Sequence, residues 1–168
     1  MSVANDLDIV ERDGLGLATV MARKGVTAPA IGAALGLDAP RGPTSASNGQ
    51  LRLIGTGPGM WMAIADTAGA DWVDGLRTRL TGIASVSDQS GGYVIFRISG
   101  PSARSTLQKG VFIDLDPSVF GAGSVATTVV AHIGVTLWQV DAAPTFEAAL
   151  FRSLSRSFRE WLESVATR

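Results

Sequence analysis

Tyr93-Val94-Ile95-Phe96-Arg97-Ile98-Ser99-Gly100-Pro101-Ser102 is the stretch on which the fold turns. Tyr93 to Ser99 alternates as a strand, and Gly100-Pro101-Ser102 opens a helix that contains Ala103 and Leu107 and closes at Gly110. The first half of the chain begins in the same order. Leu15 to Ala22 reads as a buried strand, Gly25 marks a turn, and a helix follows with Thr27 as cap, Pro29 in its first turn, Ile31 and Leu35 on one face and Gly36 as its stop. Gly25 and Gly100 are 75 residues apart, as are Gly59 and Gly134, and Asp66 and Asp141. A fixed offset of this kind is the mark of an internal repeat.

Between the two strand-helix starts, Asp38 to Gly49 carries Pro40, Gly42, Pro43, Ser45, Ser47 and Asn48 and is expected to be a loop. Leu51 to Ile54 and Met60 to Ala65 flank Gly55-Thr56-Gly57-Pro58-Gly59 and predict a β-hairpin. A helix is expected from Asp71 to Leu80, capped by Asp71, with Trp72, Leu76 and Leu80 on one stripe, and Ile83 to Ser87 supplies a closing strand. Under the repeat, Val125 to Val140 is the second hairpin, and Phe146, Leu150 and Leu154 match Trp72, Leu76 and Leu80. That match predicts a long last helix from Thr145, apolar through Phe158, Trp161, Leu162 and Val165. Arg156 with Glu160 and Arg159 with Glu163 would form ion pairs on its charged side, each contributing about 0.2–0.5 kcal/mol. The expected class is α+β, with two pseudo-repeated βαββα(β) ferredoxin-like halves. A polar arm over residues 1–13 would precede a single compact domain of residues 14–168, divided into half-repeats 14–90 and 91–168.

Composition narrows the function. The chain has 168 residues, 46% of them hydrophobic, and a net charge of -1, so no basic excess is available for nucleic-acid phosphates. No apolar run reaches the roughly 20 residues of a membrane span, and Met1 to Asp13 lacks the character of a signal peptide, which points to a cytoplasmic protein. With no cysteine and one histidine, His132, sulfur-ligated metals and disulfides are excluded and other metal sites are disfavoured.

The residues that invite chemistry each have a plainer role. Gly55 to Gly59 lacks a following Gly-Lys-Ser/Thr, and Pro58 has no N–H for a phosphate. His132 with Ser124 and Asp141 has no triad spacing and stands in an apolar run between Val130 and Ile133. Asp88 and Ser90 occupy a strand-to-turn junction where short polar side chains bond nearby amides. Trp61 and Trp138, in matching hairpins, suit core packing. Phe158 and Trp161 stand apart: the apolar side of the last helix is wider there than one half-domain needs, which makes them candidate interface residues.

Several ordered motifs carry a family resemblance. Ser87-Asp88-Gln89-Ser90-Gly91-Gly92-Tyr93, Ile98 to Arg104, Ala131-His132-Ile133-Gly134-Val135-Thr136-Leu137-Trp138, Pro144 to Glu147 and Phe151 to Glu163 together resemble the gamma subunit of heterotetrameric sarcosine oxidase, over nearly the whole chain from Leu15 onward. The resemblance implies a fold similar to the folate-binding domain of glycine-cleavage T-protein. It implies a non-catalytic subunit with no catalytic, cofactor or metal residue of its own. The complex would oxidatively demethylate sarcosine, with FAD, FMN, NAD and tetrahydrofolate on the alpha and beta subunits and zinc on delta. Partners would be the alpha, beta and delta subunits, with alpha in direct contact. The competing readings are a stand-alone folate- or pterin-binding module of the T-protein-like class, for which Asp88 and Asp141 are the available carboxylates, and a homo-oligomeric scaffold.

Overall fold

A computed structural model describes residues 6–166. Strand β1 (Asp8–Glu11) comes first, followed by β2 (Gly16–Ala22), helix α1 (Ala28–Leu35), β3 (Ser45–Ser47), β4 (Arg52–Gly57), β5 (Met60–Ala65), α2 (Trp72–Arg79) and β6 (Ala84–Asp88). The remainder is β7 (Tyr93–Ser99), α3 (Ala103–Gln108), β8 (Val125–Val130), β9 (Ile133–Asp141), β10 (Thr145–Phe151) and, after a 3-10 turn at Arg152–Leu154, α4 (Ser155–Ala166). The chain divides into two units, Asp13–Gly92 and the segments 1–12 with 93–168.

In the unit Asp13–Gly92 the sheet order is β3-β4-β5-β2-β6, and all pairings are antiparallel. Strand β5 lies between β2 and β4, so β2-α1-β4 forms a split βαβ crossover and β6 closes the far side of β2, the ferredoxin-like order expected from sequence. Gly25, at φ +83°, turns the chain from β2 towards α1. Gly36, at φ +73°, ends α1 with its N–H on the Gly32 carbonyl at 2.8 Å. Ala18, Val20, Leu53, Trp61 and Ala63 meet Ile31, Leu35, Leu76 and Leu80 of the helices in the core.

The other unit has the order β1-β7-β10-β9-β8, again antiparallel throughout. Gly100 turns from β7 to α3 at φ +108°, as Gly25 does from β2 to α1. Four sequence expectations fail, three of them in this unit. The helix from Thr145 is strand β10 as far as Phe151, and helix begins only at Ser155. Phe146 and Leu150 are four apart, which fits a helix. Phe146, Ala148 and Leu150 also alternate, and all three enter the core, while Glu147 and Ala149 on the opposite face are 1% exposed. A strand buried on both faces loses the alternation that identifies strands.

Gly134 lies inside β9, not at a turn. The β8–β9 hairpin turns instead at Ala131 (φ 49°) and His132 (φ 69°), so the 75-residue offset does not carry through the hairpin. Asp38–Gly49 is not wholly loop, because Ser45–Ser47 adds an edge strand to β4. The position that β6 fills beside β2 is filled beside β7 by β1, which comes from the segment expected as a polar arm. Strand β10, between β7 and β9, takes the place that β5 takes between β2 and β4, with β8 and β9 in the places of β3 and β4, so the two sheets share one strand order.

Two consecutive non-glycine residues in left-handed geometry are costly, about 1–2 kcal/mol each for an ordinary side chain. We expect His132→Gly to raise stability by about 1 kcal/mol, or roughly 2–4 °C in Tm for a chain of this size, when thermal unfolding of the two proteins is compared. An unchanged or lower Tm refutes this account of the turn.

Candidate functional site

Helix α4 presents Phe158 and Leu162 to the core, one turn apart, and both are fully buried. The Phe158 ring is 5.3 Å from that of Phe96 on β7 and 6.4 Å from that of Trp161. Phe158 therefore packs in its own unit and leaves no surface to offer a partner. Trp161, at the flank of the buried stripe, remains half-buried. Arg159 lies over the Phe96 ring at 5.2 Å, with Glu163 at 3.9 Å and Glu11 of β1 at 3.7 Å, and Arg156 pairs with Glu160 at 2.8 Å.

Gly110 makes the seat for Trp161. A Cβ on Gly110 would stand 2.3 Å from Trp161 Cζ2, so only glycine lets the indole lie against the end of α3. Val111 then pairs with Val130 and is buried, which by strand alternation turns Phe112 outward, where it is 77% exposed. Gln108 fixes the chain beyond it, donating to Ile113 O at 2.8 Å and accepting from Leu115 N at 2.8 Å. Trp161, Phe112, Val111, Lys109 and the Ala131–His132 turn surround a hollow of about 410 Å³.

The other sequence candidates do not assemble. His132 is exposed at the tip of the β8–β9 hairpin, whereas Ser124 and Asp141 lie beyond the other end of its ladder, more than roughly 17 Å away. The Ser124 hydroxyl accepts from Gly121 N at 3.1 Å, and Asp141 accepts from Ala143 N at 2.9 Å. Asp88 accepts from Ser90 N at 2.9 Å, while the Ser90 hydroxyl meets the Leu17 amide at 3.1 Å and so ties the end of β6 to β2. The backbone N–H of Ser90, then its hydroxyl, and more weakly Arg77 hold the Asp88 carboxyl below its ordinary value of 3.8. Gly55 to Gly59 forms the β4–β5 turn region. Trp61 is 2% exposed with its indole N–H on Pro40 O at 2.8 Å, and Trp138 is fully buried with Nε1 unpartnered.

Two buried polar groups escaped sequence reasoning. Glu147, 1% exposed in central strand β10, faces Arg97 across the ladder to β7, with NH2 at 2.8 Å, and accepts from Arg12 NH1 at 2.9 Å. Gln139, 2% exposed, accepts from Arg104 NH2 at 3.1 Å, and the same guanidinium reaches the Leu115 and Phe120 carbonyls and lies over Phe146 at 5.1 Å. A lone acid in Thr145 to Phe151 and a lone arginine in Tyr93 to Ser99 were the available signals. In the unit Asp13–Gly92, a larger hollow of about 550 Å³ is lined by Leu51, Asp66, Asp71, Trp72 and Arg79, and Arg79 NH2 also donates to Leu35 O at 2.8 Å. Among the described residues no three His, Asp or Glu side chains gather as a metal site, and no helix is long and apolar enough to cross a membrane.

The model of the sarcosine oxidase gamma subunit family matches residues 21–168. The chain belongs to that family. Its fold is similar to a chain of the heterotetrameric sarcosine oxidase from Corynebacterium sp. U-96 in complex with pyrrole 2-carboxylate, at TM-score 0.87 and 23% identity, covering 98% of this chain and 86% of that one. It is also similar to the glycine cleavage system aminomethyltransferase T from Bartonella henselae, at TM-score 0.65 and 16% identity, covering 94% of this chain but 45% of that one. No curated protein matches. At these identities the likenesses establish a shared T-protein-like fold. This chain carries that fold with the turn carboxylates Asp88, Asp116 and Asp141 bonded to backbone amides.

Two outcomes are expected from the polar groups. Glu147→Gln takes the buried counter-charge from two partly exposed guanidiniums, and urea denaturation should show a loss of about 1–3 kcal/mol. A loss below about 1 kcal/mol would show that water already satisfies both arginines. Because the Asp88 pKa is depressed on folding, its contribution is complete above 3.8 and is lost as pH falls through the lowered value. Asp88→Asn, which keeps an acceptor for Ser90, should therefore make stability fall less steeply below that pH. Superimposable acid limbs for the two proteins would remove Asp88 from the account.

Proposed function

We propose that this chain is the non-catalytic gamma-type subunit of a heterotetrameric sarcosine oxidase and supports assembly of the complex that oxidatively demethylates sarcosine. The observation that carries this reading is the family match over residues 21–168. The geometry agrees: His132 is far from Ser124 and Asp141, and each of those two is bonded to a nearby backbone amide. FAD, FMN, NAD, tetrahydrofolate and zinc belong in this reading to the other subunits. Alpha is the direct neighbour, docking at the outer end of α4 around Trp161. Likeness to aminomethyltransferase T does not by itself transfer a folate site, because sites are grafted on folds. The subunit works in the cytoplasm.

The test is co-expression of the tagged chain with the alpha, beta and delta subunits. The expected result is recovery of all four in fixed proportion, with flavin absorbance and sarcosine-dependent oxygen uptake, while the chain purified alone has neither. Flavin bound by the lone chain, or failure of the subunits to co-purify, overturns the reading. Trp161→Ala removes the indole from Gly110 and should cost the free subunit stability, and should also reduce recovery of the complex at least tenfold at a temperature where the variant remains folded. Full recovery with folded Trp161→Ala takes the end of α4 out of the interface.

A further inference from the structure

The edges of the two sheets are unequal. Strand β1 is four residues long and carries Asp8 and Glu11, and β3 has only three residues. On β6 the Val86 carbonyl is already taken by Arg77 Nε at 3.3 Å. Short, charged or occupied edges are how proteins prevent unwanted strand pairing. The fourth edge, β8, reads Val125-Ala126-Thr127-Thr128-Val129-Val130, six residues without a charge, proline or glycine.

Alternate residues of an antiparallel strand turn their N–H and C=O away from the partner strand. Ala131, just past the end of β8, turns its N–H away from β9 and gives it to Gly110 O at 3.0 Å. By alternation Val129, Thr127 and Val125 point the same way. Val111, bridged antiparallel to Val130, occupies only the last position of this edge. Among the described residues no hydrogen bond other than the β8–β9 ladder reaches the exposed Thr127. The edge runs directly into the hollow at Phe112, His132 and Trp161, where Lys109 is the one charged residue in the lining.

We infer that the free edge of β8 receives an extended strand from another subunit of the oxidase complex, and that the same segment fills the adjoining hollow with an apolar side chain and sets a carboxylate beside Lys109. This inference rests on the proposed role within a complex. Backbone groups in a row select an extended peptide, and the uncharged β-branched surface selects apolar or β-branched side chains on it. Phe112, 77% exposed, supplies the aromatic contact area typical of an interface anchor. The Val111–Val130 bridge shows the edge already accepting an antiparallel segment, and the incoming strand continues that pairing along Thr127.

Hydrogen exchange on the wild-type protein, free and in the four-subunit complex, tests this directly. The Thr127 amide should exchange at least tenfold more slowly in the complex. Thr127→Pro removes that outward N–H at an edge position where proline is tolerated, and Thr127→Val keeps it. Thr127→Pro should lower recovery of the complex at least tenfold, and Thr127→Val should not. If Thr127→Pro does not fold, the exchange measurement decides alone. Unchanged exchange at Thr127 in an intact complex, or full assembly by folded Thr127→Pro, overturns the inference while leaving the subunit role standing. Equal protection in a homodimer of the free chain assigns the edge to a second copy and also overturns it. Absence of any complex with wild-type chain removes both readings.

Discussion

Glu147 is the constraint around which the unit containing α4 is organised. It lies in the central strand β10, buried, and draws Arg97 from β7 and Arg12 from just beyond β1 onto one carboxylate. Buried ion pairs often contribute little net stability compared with apolar replacements, because desolvation offsets attraction. Their effect on register is firmer. A slip of β10 by one residue would move Glu147 to the face occupied by Phe146, Ala148 and Leu150, placing an unpaired charge among Phe96, Ile98 and Leu137. The carboxylate thus fixes which residues of β10 face the core. Through Arg12 it also ties the N-terminal segment to strands that come more than eighty residues later.

That long reach explains what was and was not legible in the sequence. The elements specified by neighbours in the chain follow from the sequence: β2 before Gly25, α1 between Thr27 and Gly36, the β4–β5 hairpin, α2 after Asp71, and the β7–Gly100–α3 start, although neither Thr27 nor Asp71 makes the expected side-chain cap. Strand β10 was misread because sequence reasoning assigns faces by period, and this strand is buried on both. The role of β1 was missed for a different reason. Asp8–Glu11 has only a weak strand signal of its own and acquires structure by pairing with Ile98 and its neighbours on β7. Strand β3, three residues in a proline-, glycine- and serine-rich segment, depends in the same way on β4.

The residues expected at an interface show the same division. An aromatic excess at the end of the last helix was visible in the sequence, but its partition between core and surface was not. Phe158 goes inward because it meets Phe96, a contact set by the β7 register, and Trp161 lies across Gly110, a glycine whose relevance appears only when α3 and α4 are side by side. Phe112 had no periodic signal at all. Its exposure follows from the burial of Val111 against Val130, one residue before it in the chain, and from the anchoring of the following loop by Gln108 and Arg104.

The use made of polar side chains at turns bears on whether such a chain could support acid-base chemistry. Asp88 accepts from Ser90 N, Asp116 from Ser118 N, Asp141 from Ala143 N, and Asn48 from Gln50 and Leu51 N. Each closes a local turn next to a strand or helix, the ordinary use of Asp and Asn in connections. The Ser90 N–H and then its hydroxyl hold the Asp88 carboxyl below 3.8, and the Ser118 hydroxyl and then its N–H do the same for Asp116. A general base works best with a pKa near the operating pH, so at Asp88 and Asp116 the turn moves the carboxyl away from that range while it secures the geometry of the connection.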